Sequence, residues 1–436
     1  MLGYFITPKS YKLLSQIMLP LIFLLLNYRI KSGKEDYARK GERIGLAGQV
    51  KPHGKLIWIH AASVGESLSA LPLIEKLLSE IPNLNILITT VTKTSGHLLL
   101  ERLPEGAIHQ YVPLDNIRFV NRFLSHWKPD IALWIESELW PNLVLETHNK
   151  NIPMVLVNAR ITSRSIDNWK KLPLLSKPMI NSFRFILSQS KSDQKRFQLL
   201  GAEKVYNVGN IKFDSLPIPV DDADYSELKT IIGLRPVWIA ASTHYGEEKV
   251  IAHVHRKLRD SHPGLLTIIC PRHPIRGHDI ERELTELGLE VCSRTGPKVI
   301  SDKTDVYLAD TLGEMGLFYR LADIAFIGGS LSKNFGHNPV EAAKLNCALI
   351  SGYDMRNFED AVNHLTSKHA LTQIRNEEEL TTIVDQWLSD PTSLKNAKDA
   401  AIKGAEDLSG ALEKTMEILR PILDCLVSKE KKYESS

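Results

Sequence analysis

From residue 55 onward, short apolar runs of β-prone residues alternate with stretches of helical periodicity, and this restricts the chain to consecutive strand–helix units around parallel sheets. Six such runs occupy 56–60, 86–91, 131–135, 154–157, 185–187 and 205–208. The pattern breaks at 214–225, DSLPIPVDDADY, whose prolines and acidic residues read as an exposed linker. Six more runs follow at 237–241, 265–270, 290–293, 305–309, 324–327 and 348–351. The fold class is α/β, with two doubly wound, Rossmann-like domains, and 436 residues give each its own core. Helical periodicity over 408–427 predicts a C-terminal helix packing back on the body before a frayed polar tail at 428–436. The expected division is 1–50, 51–215, 216–427 including that helix, and 428–436.

The segment 1–50 is expected to be a membrane anchor with a basic juxtamembrane stretch. Residues 13–28 carry no charge, and 17–26 are unbroken apolar sequence. As a helix, 13–28 would cover about 24 Å, short of the ~30 Å hydrocarbon core, so a short or tilted span and an interfacial helix both remain open. Pro20 excludes neither, and no small-residue cleavage site follows, which favours a retained anchor. Arg29, Lys31, Lys34, Arg39, Lys40 and Arg43 follow the run, against Lys9 and Lys12 before it. The positive-inside rule then places the body on the cytoplasmic side, near anionic head groups. Hydrophobic residues at 43% and charged residues at 24% disfavour a polytopic bundle and a disordered chain, and a net charge of +3 gives no signal for a nucleic-acid partner. Cys270, Cys292, Cys347 and Cys425 lie far apart, which writes neither a disulfide framework nor a zinc ribbon.

Ligands of doubly wound sheets bind beyond the carboxyl ends of the strands. Neither GxGxxG nor GxxxxGK[ST] occurs, which removes most of the weight from a dinucleotide site and a P-loop. After the first run, AASVGES places Glu66 at the mouth of the sheet, as a general base or as a first-turn acid complementing the helix dipole. WIESELWPN places Glu136 and Glu138 just past another run, on one face if the strand continues. VNARIT supplies Asn158 and Arg160, and VGNIKFD supplies Asn210 and Lys212, cations suited to an anionic ligand or to those glutamates. In the second half, Ser242, Thr243 and His244 end a run where phosphate is received, or where a plain N-cap is needed. IICPRHPIR sets Arg272 and His273 between prolines, and His273 with His278 lacks the acids or cysteines that would complete a metal site. DTLGEMG turns at Gly313 and Glu314, and FIGGSLSKNFGHNPVEAA leads from Gly328 and Gly329 to Glu341.

Read in order, ASVGE, ESELWPN, VNAR, GNIKFD, STHYGEE, PRHP, GEM and GGSLSKNFGHNPVEAA resemble the motifs of the 3-deoxy-D-manno-octulosonic acid (Kdo) transferases of lipopolysaccharide assembly, over nearly the whole chain. Ser137 and Glu138 in ESELWPN, where a Thr is familiar before the second Glu, and residues 333–335 depart from the family pattern. The resemblance implies a GT-B glycosyltransferase with two Rossmann-like domains facing across a cleft, anchored at the cytoplasmic face of the bacterial inner membrane. It implies inverting transfer of Kdo from CMP-Kdo to the lipid A precursor, lipid IVA, with no metal or other cofactor. Carried over residue by residue, Glu66 is the proton acceptor, and Glu136 and Lys212 are transition-state stabilisers. The CMP contacts fall on Pro271, Arg272, Gly313, Glu314, Met315, Asn338, Pro339, Val340 and Glu341. The rival expectations are another membrane-associated GT-B transferase or a sugar-nucleotide epimerase with a different nucleotide sugar, a nucleotide-sugar binding protein without turnover, and a dehydrogenase.

Overall fold

Strands buried on both faces need apolar residues at consecutive positions, and the first strand, β1 (Lys55–His60, KLIWIH), shows what this accomplishes. Leu56 and Trp58 pack on one face with Phe123, Trp127 and Trp134, while Ile57 and Ile59 pack on the other with Leu73, Ile74 and Leu77. The computed structural model describes residues 6–214, 218, 220–332 and 334–433, the stretch 427–433 as helix backbone. It separates into two compact units, Met1–Asp214 with Ser409–Ser436, and Ser215–Leu408.

The first unit holds a seven-stranded parallel sheet of β1, β2 (Leu84–Thr90), β3 (Ala107–Tyr111), β4 (Ile131–Ile135), β5 (Met154–Ala159), β6 (Phe185–Ser188) and β7 (Val205–Asn207). Its order is β3-β2-β1-β4-β5-β6-β7, so the chain reverses direction between β1 and β4, the place where such sheets hold ligands. The sequence reading lacks β3. In AIHQY the buried polar His109 and Gln110 find partners on other elements: Thr90 Oγ1 lies 2.9 Å from His109 Nε2, and Trp127 Nε1 donates to Gln110 Oε1 at 2.8 Å, while Gln110 Nε2 has no hydrogen-bond partner among the described residues.

The second unit repeats the scheme with β8 (Val237–Thr243), β9 (Leu266–Pro271), β10 (Val291–Ser293), β11 (Val306–Leu308), β12 (Ile324–Ile327), β13 (Ala348–Gly352) and β14 (Leu371–Ile374), in the order β10-β11-β9-β8-β12-β13-β14. The strand β14, also absent from the sequence reading, is an edge strand with a half-buried centre and too short an apolar run to stand out.

Two expectations are corrected. The range 216–427 does not form one domain, because the last helix, Ala411–Tyr433, belongs to the first unit. Its Met416, Leu419, Ile422, Leu423 and Leu426 join the cluster of Ile57 and Ile59, and the backbone N–H groups of Gly410 and Leu412 donate to the Asp214 carboxylate. That helix also continues through 428–433 rather than fraying, while 434–436 lie outside the described residues, as do 215–217 and 219 of the expected linker. From Asp222 the linker sequence is already helical.

The uncharged run 13–28 is divided between two helices, Pro8–Ile17 and Leu19–Lys31, bent by 61° at Met18. No single described helix is long and apolar enough to cross a membrane, whereas the bent pair together has the length and composition. Residues 1–5 of the expected anchor lie outside the described residues.

Candidate active site

Glu66 lies in the first turn of the helix Val64–Glu80, which follows β1 directly and carries Pro72 within it. Ser63 caps this helix, accepting from Glu66 N at 3.3 Å, and the Glu66 carboxylate folds back to accept from Ala62 N at 2.7 Å and Ser63 Oγ at 3.1 Å. This is close to a capping box, so the structural role is realised. The side chain is nevertheless not an ordinary capping acid. Burial, then the nearby charge of Glu136, pushes its pKa up to about 7, against the pull of its hydrogen bonds.

Glu136 follows β4 on the opposite side of the chain reversal. The strand ends at Ile135 and Glu136 takes a left-handed conformation (φ 62°), so the expectation that Glu136 and Glu138 share a strand face does not hold. Glu136 instead accepts from Lys212 Nζ at 2.6 Å, while Glu138 accepts from Trp140 Nε1 at 2.9 Å. Two asparagines position the lysine. Asn158 Oδ1, past the middle of β5, accepts from Ile211 N at 3.1 Å, and Asn210 Oδ1 accepts from Lys212 N at 3.0 Å. A Cβ on Gly65 would lie 3.9 Å from Lys212 Nζ, which puts the ammonium over the turn that carries Glu66. Arg160 is half-buried just beyond β5. The site is thus an acid poised near neutrality beside a carboxylate–ammonium pair.

In the second unit the organising group is Glu247, which sequence reasoning missed. Its buried carboxylate accepts from the backbone N–H groups of His244 (2.9 Å), Gly329 (2.7 Å), Leu331 (3.0 Å) and Ser332 (3.2 Å), binding the glycine-rich loop to the end of β8. The pair of glutamates after STHYG was the available signal, but an acid in a first turn ordinarily complements the dipole and no more. Its neighbour Glu248 accepts from Thr243 Oγ1 at 3.0 Å and from Arg276 at 2.9 and 3.3 Å. Neither Ser242 nor Thr243 is an N-cap, because the next helix starts behind Gly246. Gly328 is obligatory: a Cβ there would sit 2.5 Å from Ser242 O.

The expected CMP contacts all lie at or beyond the carboxyl ends of β9, β11 and β12. Pro271 ends β9, and Arg272 N donates to Thr243 O at 3.0 Å. Asn338 caps the helix Pro339–Lys344 through Val340 N (3.1 Å) and donates to Glu341 Oε1 at 3.0 Å. Burial raises the pKa of Glu341, while Asn338 and then Arg272 draw it down. Gly313 turns with φ 90° into Glu314, which accepts from Arg294 Nη2 at 2.7 Å and from Thr311 Oγ1 before Met315 opens a helix. His244 and His337, unremarked as a pair in the sequence, meet Nε2 to Nε2 at 3.0 Å with nearly parallel rings, and burial followed by Arg272 pushes His337 down to about 4. No three His, Cys, Asp or Glu side chains among the described residues form a metal-holding group.

Residues 38–215 match the family model described as 3-deoxy-D-manno-octulosonic-acid transferase (kdotransferase). A 3-deoxy-D-manno-octulosonic acid transferase from Rickettsia bellii is 36% identical over 416 residues, covering 94% of this chain and 98% of its own. The chain belongs to the Kdo transferase family. A Haemophilus influenzae Kdo transferase is 32% identical, covering 95% of this chain and 98% of its own. A probable mitochondrial Kdo transferase from Arabidopsis thaliana is 38% identical, covering 94% of each.

Solved structures agree in fold. The UDP-GlcNAc 2-epimerase of Neisseria meningitidis matches with a TM-score of 0.59 at 14% identity, over 84% of this chain and 100% of its own. A Rickettsia africae glycosyltransferase gives 0.58 at 14%, over 85% and 99%. At that identity the likeness is one of fold, and it fits the GT-B class expected of a Kdo transferase. Within the Kdo transferase frame, Glu66, Glu136 and Lys212 come together in the first unit, and the nine residues expected around CMP end or follow the strands β9, β11 and β12 at the carboxyl edge of the second sheet, with β8 between β9 and β12.

Proposed function

We propose that this chain moves Kdo from CMP-Kdo to lipid IVA with inversion, without a metal, at the cytoplasmic face of the bacterial inner membrane. The observation that carries this reading is the carboxyl of Glu66, held at about 7 beside the Glu136–Lys212 pair. A base with that pKa is half ionised near neutral pH and takes a hydroxyl proton efficiently. Ionised Glu66 removes the proton from an acceptor hydroxyl as its oxygen attacks the anomeric carbon of Kdo. The bond from that carbon to the CMP phosphate oxygen breaks, and the electron pair leaves with CMP.

Lys212, fixed by Asn210 and by Glu136, supplies positive charge for the transition state, and fixed charge of this kind acts without reorganisation. On the donor side Arg272 supplies the cation for the departing phosphate. Pro271, Gly313, Glu314 and Met315 surround the nucleotide, together with Asn338, Pro339, Val340 and Glu341, whose carboxyl is available to the ribose. Membrane attachment is supported by exposed apolar side chains on the bent helix pair, with Ile17 65% and Leu24 66% exposed, next to the basic stretch from Arg29 to Arg43.

Mass spectrometry of lipid IVA after incubation with the protein and CMP-Kdo, with and without a chelator, tests this directly. Kdo adducts that persist with chelator are expected, and their number reads the multiplicity of transfer. Unmodified acceptor with CMP still protecting the protein against heat would refute the acceptor or the activity. Protection by UDP rather than CMP would refute the donor.

A further inference from the structure

We propose that the cavity between the bent N-terminal helices and the body of the first unit receives one acyl chain of the glycolipid acceptor, an inference that rests on the transferase reading above. The cavity holds about 490 Å³, within the range of sites that enclose small ligands. Leu14, Met18, Ile22 and Leu25 line it from the helices, and Leu114 and Trp140 from the body. An acyl chain needs apolar walls and no hydrogen bonds. A sugar or a peptide segment would lose its hydration here with few partners to replace it. The one acid in the lining, Asp115, is already engaged by Tyr11 Oη at 2.9 Å, Leu143 N at 2.8 Å and Asn142 N at 3.2 Å.

The charge at the wall fits an anionic lipid. Arg29 Nε lies 2.7 Å and Arg43 Nε 3.4 Å from the same Glu35 carboxylate, so two guanidinium groups share one negative charge. Arg43 is buried, and its Nε has no hydrogen-bond partner among the described residues. Arg29, the exposed member of the pair, is the one that a phosphate on the acceptor headgroup can reach.

The cavity is also wired to the catalytic turns. Val91, which lines it, donates its N–H to Ala62 O at 3.2 Å, and the N–H of Ala62 holds the Glu66 carboxylate at 2.7 Å. Trp140 reaches from the cavity wall to the Glu138 carboxylate at 2.9 Å. A chain seated here ties the headgroup to the two turns that carry Glu66 and Glu136, and this converts membrane binding into positioning. Acceptor preference then follows chain length, at about fourfold in kcat/KM per methylene while the cavity is unfilled.

Two measurements on the full chain in detergent or vesicles test this. In the first, Ile22→Trp, which fills the cavity from the helix side, is expected to lower at least tenfold the preference for lipid IVA over its deacylated disaccharide, read as a ratio of kcat/KM values. Gln16→Trp, on the exposed side of the same helix pair, keeps the wild-type ratio. An unchanged ratio in Ile22→Trp overturns the proposal. In the second, wild-type protein is photolysed with lipid IVA bearing a diazirine on one acyl chain. Cross-links to the cavity-lining residues are expected and require neither transfer nor a foldable variant. Cross-links elsewhere, or cavity labelling by a diazirine phospholipid that lipid IVA does not compete away, overturn it. Loss of transfer to both acceptors in wild type would instead refute the transferase reading, and the cross-link would still report on the cavity.

Discussion

Replacing Glu66 by Gln separates its two roles, because capping and proton transfer respond to pH differently. Burial and Glu136 raise the carboxyl from the ordinary 4.5 to about 7, and at ~1.36 kcal/mol per pH unit this makes ionisation in the folded protein cost about 3 kcal/mol. Since the folded value lies above the unfolded one, the stabilising contribution is fully present below about pH 4.5 and is lost as pH rises through 7. Gln never ionises and so avoids that loss. It weakens the hydrogen bonds from Ala62 N and Ser63 Oγ, at about 1 kcal/mol.

The net expectation is that Glu66→Gln stabilises the protein by about 2 kcal/mol near pH 8, a rise of roughly 4–8 °C in Tm for a unit of this size, with the gain vanishing near about pH 5 and turning into a loss of about 1 kcal/mol below about pH 4.5, where only the weakened hydrogen bonds count. Transfer falls at least ~10²-fold while CMP binding persists. Scanning calorimetry across pH, alongside CMP titration and mass spectrometry of the product, checks all three. A variant equally destabilised at both ends of the pH range would show that Glu66 is a cap alone. Wild-type transfer that does not decline as pH falls through 7 would refute its role as base.

Removing Lys212 leaves Glu136 without its 2.6 Å partner, and the uncompensated charge raises Glu66 further. Lys212→Ala is expected to lower kcat by ~10²–10³ and to move the acid limb of the rate profile to higher pH, which steady-state rates from about pH 5 to 9 will show. In the other unit, Glu247→Gln turns an acceptor of four N–H groups into an amide with only one acceptor oxygen and a conflicting NH₂. A loss of about 2–3 kcal/mol of stability and at least tenfold weaker CMP binding are expected, measured by denaturation and by calorimetric titration.

Where a segment's environment is made by its own apolar residues, sequence and structure agree closely. The run 131–135 is β4 and 324–327 is β12, with no shift at either end. Where the environment comes from elsewhere, the local sequence misleads. β3 reads as polar because the partners of its buried His109 and Gln110, Thr90 and Trp127, come from other elements, and Glu247 reads as a dipole acid because three of its four N–H partners, on Gly329, Leu331 and Ser332, lie more than eighty residues away. Likewise the apolar stripe of the last helix was legible, but which sheet it would cover was not, since both offer an apolar face. The site residues that came from the family motifs sit at the strand ends where the topology puts ligands. Their neighbours Asn158 and Asn210 are visible as strand-end residues, and only the fold reveals that they hold Lys212 in place.

The return of the C-terminal helix to the first sheet fixes an order of assembly. Ile57, Ile59 and Leu73 are made long before Met416 to Leu426, which complete their apolar cluster. The 194 residues of the second unit intervene, roughly 10–40 s of translation. That unit is continuous in the chain and can complete its own sheet while still attached to the ribosome. The first unit waits unfinished, the share of its apolar cluster that the last helix supplies still missing and its N-terminal helices already emerged. During that interval the nascent chain is most exposed to misassociation, and a bilayer that receives those helices early would keep the waiting protein out of bulk solution.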